Sequence, residues 1–146
     1  MDTEEEFAGA LAALQRRRPE ELAAFIVSLL CGAPPGVRSY VEAFIAAAEP
    51  DQVATIVRRE IGALRVGERE YDVRHRRSAE IVARAGYTLG IIERVVLPSD
   101  GALARELLGE LLDAEQQIAE QAYEDDYGAE ELFAQVRSLL SATAER

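Results

Sequence analysis

Along most of the chain, apolar side chains recur every third or fourth position, the period of a helix with one buried face. Phe7, Ala10, Leu11 and Leu14 form the first such stripe, and Leu22, Phe25, Ile26, Leu29 and Leu30 the second. Val37, Tyr40, Val41, Phe44, Ile45 and Ala48 give a third, and Val53, Ile56, Val57, Ile61 and Leu64 a fourth. The rhythm fails over 65–73 and resumes with Val82, Leu89, Ile92 and Val96. Leu103, Leu107, Leu111, Ala114, Ile118 and Ala122, widened by Leu108, Leu112 and Tyr123, then predict one helix of about six turns. Leu132, Phe133, Val136, Leu139 and Leu140 mark the last. The pattern predicts an all-α fold of about seven helices, in an antiparallel bundle or a short α-α superhelical array.

The punctuation between stripes agrees with this reading. Thr3 followed by Glu4, Glu5 and Glu6 has the residues and spacing of a capping box, and Arg16, Arg17 and Arg18 set cations at the negative end of the first helix. Pro19 opens the second helix at a tolerated first-turn position, and Gly32-Ala33-Pro34-Pro35-Gly36 stops it. Glu49-Pro50-Asp51 and Leu97-Pro98-Ser99-Asp100-Gly101 are further breaks, with Ser99 or Asp100 as a helix cap. Turns this short imply antiparallel neighbours, and residues 19–64 have room for one and a half units of a repeating helix pair. We read a single domain, 1–146: a four-helix amino-terminal part (1–64), a basic connector (65–77) and three longer helices (78–146). Either Asp72 or Ser78 caps the helix after the connector. On that helix Ala79, Ala83, Gly86 and Gly90 form a stripe of small residues. Glycine inside a helix costs about 0.5–1 kcal/mol relative to alanine, so two of them four apart imply a close helix crossing.

Composition narrows the class. The chain has 146 residues, 49% of them apolar, enough for a sizeable core. No run approaches a membrane span and the MDTEEEF start is acidic where a signal peptide is basic, so a cytoplasmic protein without membrane partners is expected. Cys31 is the only cysteine, which excludes an intrachain disulfide; its place at the end of an apolar stripe predicts a buried small hydrophobe. All 16 basic residues are Arg, as codon bias in a high-GC bacterial genome produces.

The charge is −11 overall but unevenly placed: −5 over 1–57, +3 over 58–94 and −9 over 95–146. The positive middle contains the only His and an arginine cluster. Tyr71, Arg74, His75, Arg76, Arg77 and Arg84 are therefore the candidate binding residues, because guanidinium forks bind phosphate and carboxylate. The competing and preferred reading is internal, with the basic segment docked on Glu106, Glu110 or Asp113. One Cys and one His are a poor metal set, and Glu124-Asp125-Asp126-Tyr127-Gly128 lacks the alternating ligands of a calcium loop. No cofactor is implied. Phosphate loops, dinucleotide fingerprints and triad spacings are absent. Tyr71, Asp72, Arg74 and His75 are the only cluster that mixes acid, base and cation.

A further signal lies in the order of features from Val53 onward. A helix ends in Arg59-Glu60-Ile61-Gly62-Ala63-Leu64, a short Arg65-Val66-Gly67 link follows, and Tyr71-Asp72 precede basic residues. Val95-Val96-Leu97-Pro98-Ser99-Asp100 makes a turn, and Asp125-Asp126-Tyr127-Gly128 leads into the helix of Phe133. This order, over residues 53–140, resembles an uncharacterised family of bacterial all-helical proteins whose helical region also occurs beside SWIM-type zinc fingers. The zinc-finger ligands are missing from this chain. The resemblance implies a helical array and no particular reaction.

These readings lead to a non-enzymatic helical module that binds another protein or a second copy of itself. The alternatives are nucleic-acid or nucleotide binding through residues 74–84, an acidic decoy of nucleic acid built on the Glu-rich carboxyl-terminal half, and an enzyme centred on His75. An acidic surface repels phosphate over most of its area, which ranks general nucleic-acid binding lower.

Overall fold

Each apolar stripe is realised as helix. The computed structural model describes the backbone of residues 3–66, 74–121 and 128–144, and the side chains of 7–65, 80–121 and 128–144. In chain order the helices are α1 (Thr3–Gln15), α2 (Pro19–Leu30), α3 (Pro35–Ile45), α4 (Pro50–Val66), α5 (Arg74–Ile91), α6 (Gly101–Asp113), α7 (Glu115–Gln121) and α8 (Ala129–Ala144), with a π-helical turn at Ile92–Val96. No strand occurs among the described residues, so the all-α class holds. The chain forms two compact units, 1–33 and 34–146. None of the described helices is long and apolar enough to cross a membrane.

The first unit holds α1 and α2. Pro19 starts α2, and Glu20 and Glu21 occupy its first turn. Glu21 accepts hydrogen bonds from Arg18 at 3.0 and 3.2 Å and lies 3.7 Å from Arg17, all exposed contacts. None of this unit's described side chains is buried. Cys31 is exposed, against the burial its position on the stripe predicted; α2 buries nothing for it to join.

The second unit has a continuous core. Val53, Val57, Ile61 and Leu64 of α4, Ile81, Ala85 and Leu89 of α5, Leu107, Leu108 and Leu111 of α6, Ile118 of α7 and Phe133 and Val136 of α8 meet there. Its most extensive helix pairings are α3 with α5 and α6 with α8. The helices on either side of the expected connector, α4 and α5, pack together in this one unit. Among the two caps foreseen for α6, the structure uses Asp100, whose carboxylate accepts from the Leu103 N–H at 3.0 Å.

Three expectations need correction. The expected six-turn helix is broken at Ala114 into α6 and α7. That residue sits at φ −88° and ψ −1°, a tightened last turn that no Gly or Pro announces. The fifth helix begins at Arg74, inside the segment 65–77 expected as a connector, and its last turn is π-helical, with the Leu97 N–H reaching back five residues to the Ile92 carbonyl at 2.9 Å. The largest change is on α3. It buries Gly36, Ser39 and Ala43, leaves Phe44 and Ile45 of its hydrophobic stripe exposed, and only half-buries Val37, Tyr40 and Val41. The cause is the crossing with α5. A side chain at Gly36 would lie 3.2 Å from the Arg84 backbone, so α3 presents its small face where the backbones come closest.

Candidate interaction groove

The groove is framed by a polar knot that fixes α3 and α5 on α4. Glu60 of α4 is only 2% exposed, although it is not among the apolar stripe residues of that helix. Arg84 of α5 grips it with two nitrogens, Nε to Oε2 at 2.6 Å and Nη2 to Oε1 at 3.1 Å. The Ser39 hydroxyl of α3 donates to Oε1 at 2.6 Å. Arg59 in turn donates to Ser39 Oγ at 3.1 Å and to Glu42 at 3.0 Å. Burial alone would raise the Glu60 carboxyl pKa. The hydrogen bonds from Arg84 and Ser39 and the charges of Arg84 and Arg59 outweigh burial and lower it. Three helices thus share one buried carboxylate, and a bidentate fork sets their register.

Beside this knot, α3, α5, the π turn and α8 leave an open groove of about 800 Å³. Ala83, Gly86, Gly90 and Arg94 run along its floor at helical spacing, and Tyr87 stands at its side, 42% exposed. Tyr40 of α3 meets Tyr87 edge to face with ring centroids 6.1 Å apart. Arg94 donates from Nη1 to the Tyr40 hydroxyl at 3.2 Å, tying the π turn to α3. Leu132 and Leu139 of α8 form the opposite wall, with Gln135 and Ser138 as its polar positions. The two glycines differ. A methyl group at Gly90 would fall 2.9 Å from the Tyr40 ring, so that position is filled by its neighbour. A methyl group at Gly86 meets nothing within 4 Å, so the floor is open there. The close packing expected at both glycines exists at one.

Of the residues singled out from sequence, only Arg84 has a described side chain. Tyr71 lies outside the described residues. Arg74, His75, Arg76 and Arg77 occupy the first turn or so of α5 by backbone, and their side chains lie outside the description. Arg84 faces Glu60, so its guanidinium is engaged within the fold. The acids expected to neutralise the basic segment are met in part by α4: Arg58 contacts Glu106 and Glu110, both at 3.1 Å. The groove residues Tyr40, Tyr87, Glu93, Arg94, Gln135 and Ser138 were not foreseen. The available signal was Ala83, Tyr87, Gly90 and Arg94 recurring at four, three and four residues, which puts an aromatic and a cation on the small-residue face. No group of three or more potential metal ligands occurs among the described residues, and the Glu124–Asp126 acids fall outside them.

No family model, curated protein or solved structure matches the chain.

Proposed function

We propose that the protein is a non-enzymatic helical interaction module whose groove receives an amphipathic helix of a partner protein. The observation that carries this reading is the open floor at Gly86 beside the exposed Tyr87 ring. Small residues let a partner backbone come close, and a tyrosine offers large contact area with a polar tip. From Ala83 to Arg94 the floor spans eleven residue steps, roughly 16 Å at 1.5 Å per residue, or about three helical turns. An elongated, open trough of that length suits a helix presenting residues at i, i+3 or i+4 and i+7 better than a compact small molecule. Glu93 and Arg94 at one end and Gln135 and Ser138 on the far wall supply polar contacts of both signs for orientation.

Gly86→Leu tests this, because its Cβ would enter open space and leucine favours the helix. Proteins retained by the immobilised wild type are compared by quantitative mass spectrometry with those retained by Gly86→Leu and Tyr87→Ala. A partner held by the wild type and depleted at least tenfold by both variants supports the groove. Identical retention by all three rejects it.

The second reading is anion or nucleic-acid binding at the start of α5. Its support is that the helix begins at Arg74, so Arg74, Arg76 and Arg77 share its positive end. With Arg84 engaged by Glu60 the patch is reduced to three arginines. Fluorescence anisotropy of labelled oligonucleotides over a salt series decides it, since phosphate contacts weaken steeply with salt.

A further inference from the structure

We propose that two copies of this chain associate through their first unit, with the two α1 helices antiparallel about a two-fold axis. The inference is independent of the groove, which belongs to the second unit.

Begin with what α1 and α2 lack. They have 13 and 12 residues, the range in which isolated helices are marginal in water (about 12–15 residues). None of their described side chains is buried, and the two helices share few contacts with each other. Burial of an apolar face is what ordinarily makes such helices persist. Phe7, Leu11 and Leu14 lie one turn apart on one face of α1, and Phe25 and Leu29 one turn apart on α2; all five are between 48% and 58% exposed. At roughly 100 Å² of exposed side chain each, two copies would remove on the order of 1,000 Å² from water, the lower bound of a specific interface. Association in the micromolar range is therefore expected.

Charge names the occupant as a second copy and sets its direction. The amino end of α1 carries Glu4, Glu5 and Glu6, and Arg16, Arg17 and Arg18 follow its last turn. The two clusters are about 18 Å apart along the axis. Parallel copies would set like charges side by side. Antiparallel copies set acid against arginine at both ends, which is the self-complementarity a two-fold interface requires. The contacts of Arg17 and Arg18 with Glu21 are exposed and weak, so both arginines are available to a partner.

The same charges also suit the α1 macrodipole, and the experiment separates the two roles. Sedimentation velocity is run on the full chain over a dilution series, for wild type, for E4R/E5R/E6R, for R16E/R17E/R18E, and for the two variants mixed in equal amounts. The expected result is a wild-type dimer, each variant alone at least tenfold weaker, and recovery of a dimer in the mixture, where one all-basic α1 meets one all-acidic α1. A wild type that stays monomeric at 100 µM (about the top of the micromolar range) overturns the proposal. So does a mixture no tighter than its components, since a pure macrodipole effect would weaken both variants and leave mixing without consequence. Variants that dimerise as well as the wild type overturn it too.

Discussion

Gly86 and Gly90 are one helical turn apart on α5, yet they face different surroundings, and a methyl group tells them apart. Alanine at Gly86 enters open space and gains helix propensity, so Gly86→Ala should stabilise the protein by about 0.5–1 kcal/mol. Alanine at Gly90 gains the same propensity but drives a carbon to 2.9 Å from the Tyr40 ring. The ring must shift, with the Arg94 hydrogen bond and the Tyr87 contact that depend on it. Overpacking of this kind costs about 1–3 kcal/mol, so Gly90→Ala should be destabilising overall. Urea midpoints measured side by side should move in opposite directions; two shifts of the same sign would contradict the described geometry. From sequence, both glycines looked alike. Spacing locates a small-residue face but carries no record of which neighbour covers which part of it.

At the scale of elements, the feature to test is the Glu60 knot, because it joins α3, α4 and α5 at one carboxylate. Glu60→Gln removes the charge that Arg84 is built around and leaves a guanidinium whose side chain is only 19% exposed. Removing one partner of such a buried pair should cost about 3 kcal/mol. The pH dependence follows from the direction of the shift. The folded-state pKa of Glu60 is lowered from its usual 4.5, so the native state favours the ionised form. The stabilisation is complete above the unfolded value near 4.5 and is lost as pH falls through the lower folded value. Wild type should exceed Glu60→Gln by a constant margin from neutral pH down toward 5, and the margin should shrink below 4.5. A margin that grows on acidification would show that Glu60 is not held ionised. Little of this was legible in advance. Helix positions were, since Pro19, Pro35, Pro50 and Asp100 punctuate apolar stripes that the structure turns into α2, α3, α4 and α6. Nothing local singles out Glu60, because its partners lie 21 and 24 residues away, beyond any local pattern. The α3 face was misread for a related reason: periodicity ranks faces by hydrophobicity, whereas the close α3–α5 crossing selects the face with the smallest side chains. The groove inherits both blind spots, being made of residues from three helices whose rotation the one-dimensional pattern does not specify.

For the molecule as a whole, the two units should differ in how stability depends on concentration. The second unit buries Phe133, Leu64, Ile91, Ile92 and Leu107 almost completely, so its helices are held by their own core. Their amides should exchange with solvent only by large-scale opening, at rates independent of protein concentration. The first unit has no buried described side chain, and α1 and α2 are near the length at which helices fray. If a second copy covers Phe7, Leu11, Phe25 and Leu29, protection of α1 and α2 must follow mass action and rise as the dimer fills. Hydrogen exchange read by mass spectrometry at about 1 µM and about 100 µM spans the expected association range. Peptides from residues 3–30 should slow markedly at the higher concentration while peptides from α4, α5 and α6 stay unchanged. Fast exchange of 3–30 at both concentrations would mean that self-association does not order these helices. Slowing confined to peptides of the second unit would place the interface there instead. Gly86→Leu, which fills the groove alone, should leave the exchange of 3–30 and its concentration dependence as in the wild type, because the groove and the charge-matched α1 face lie on different units.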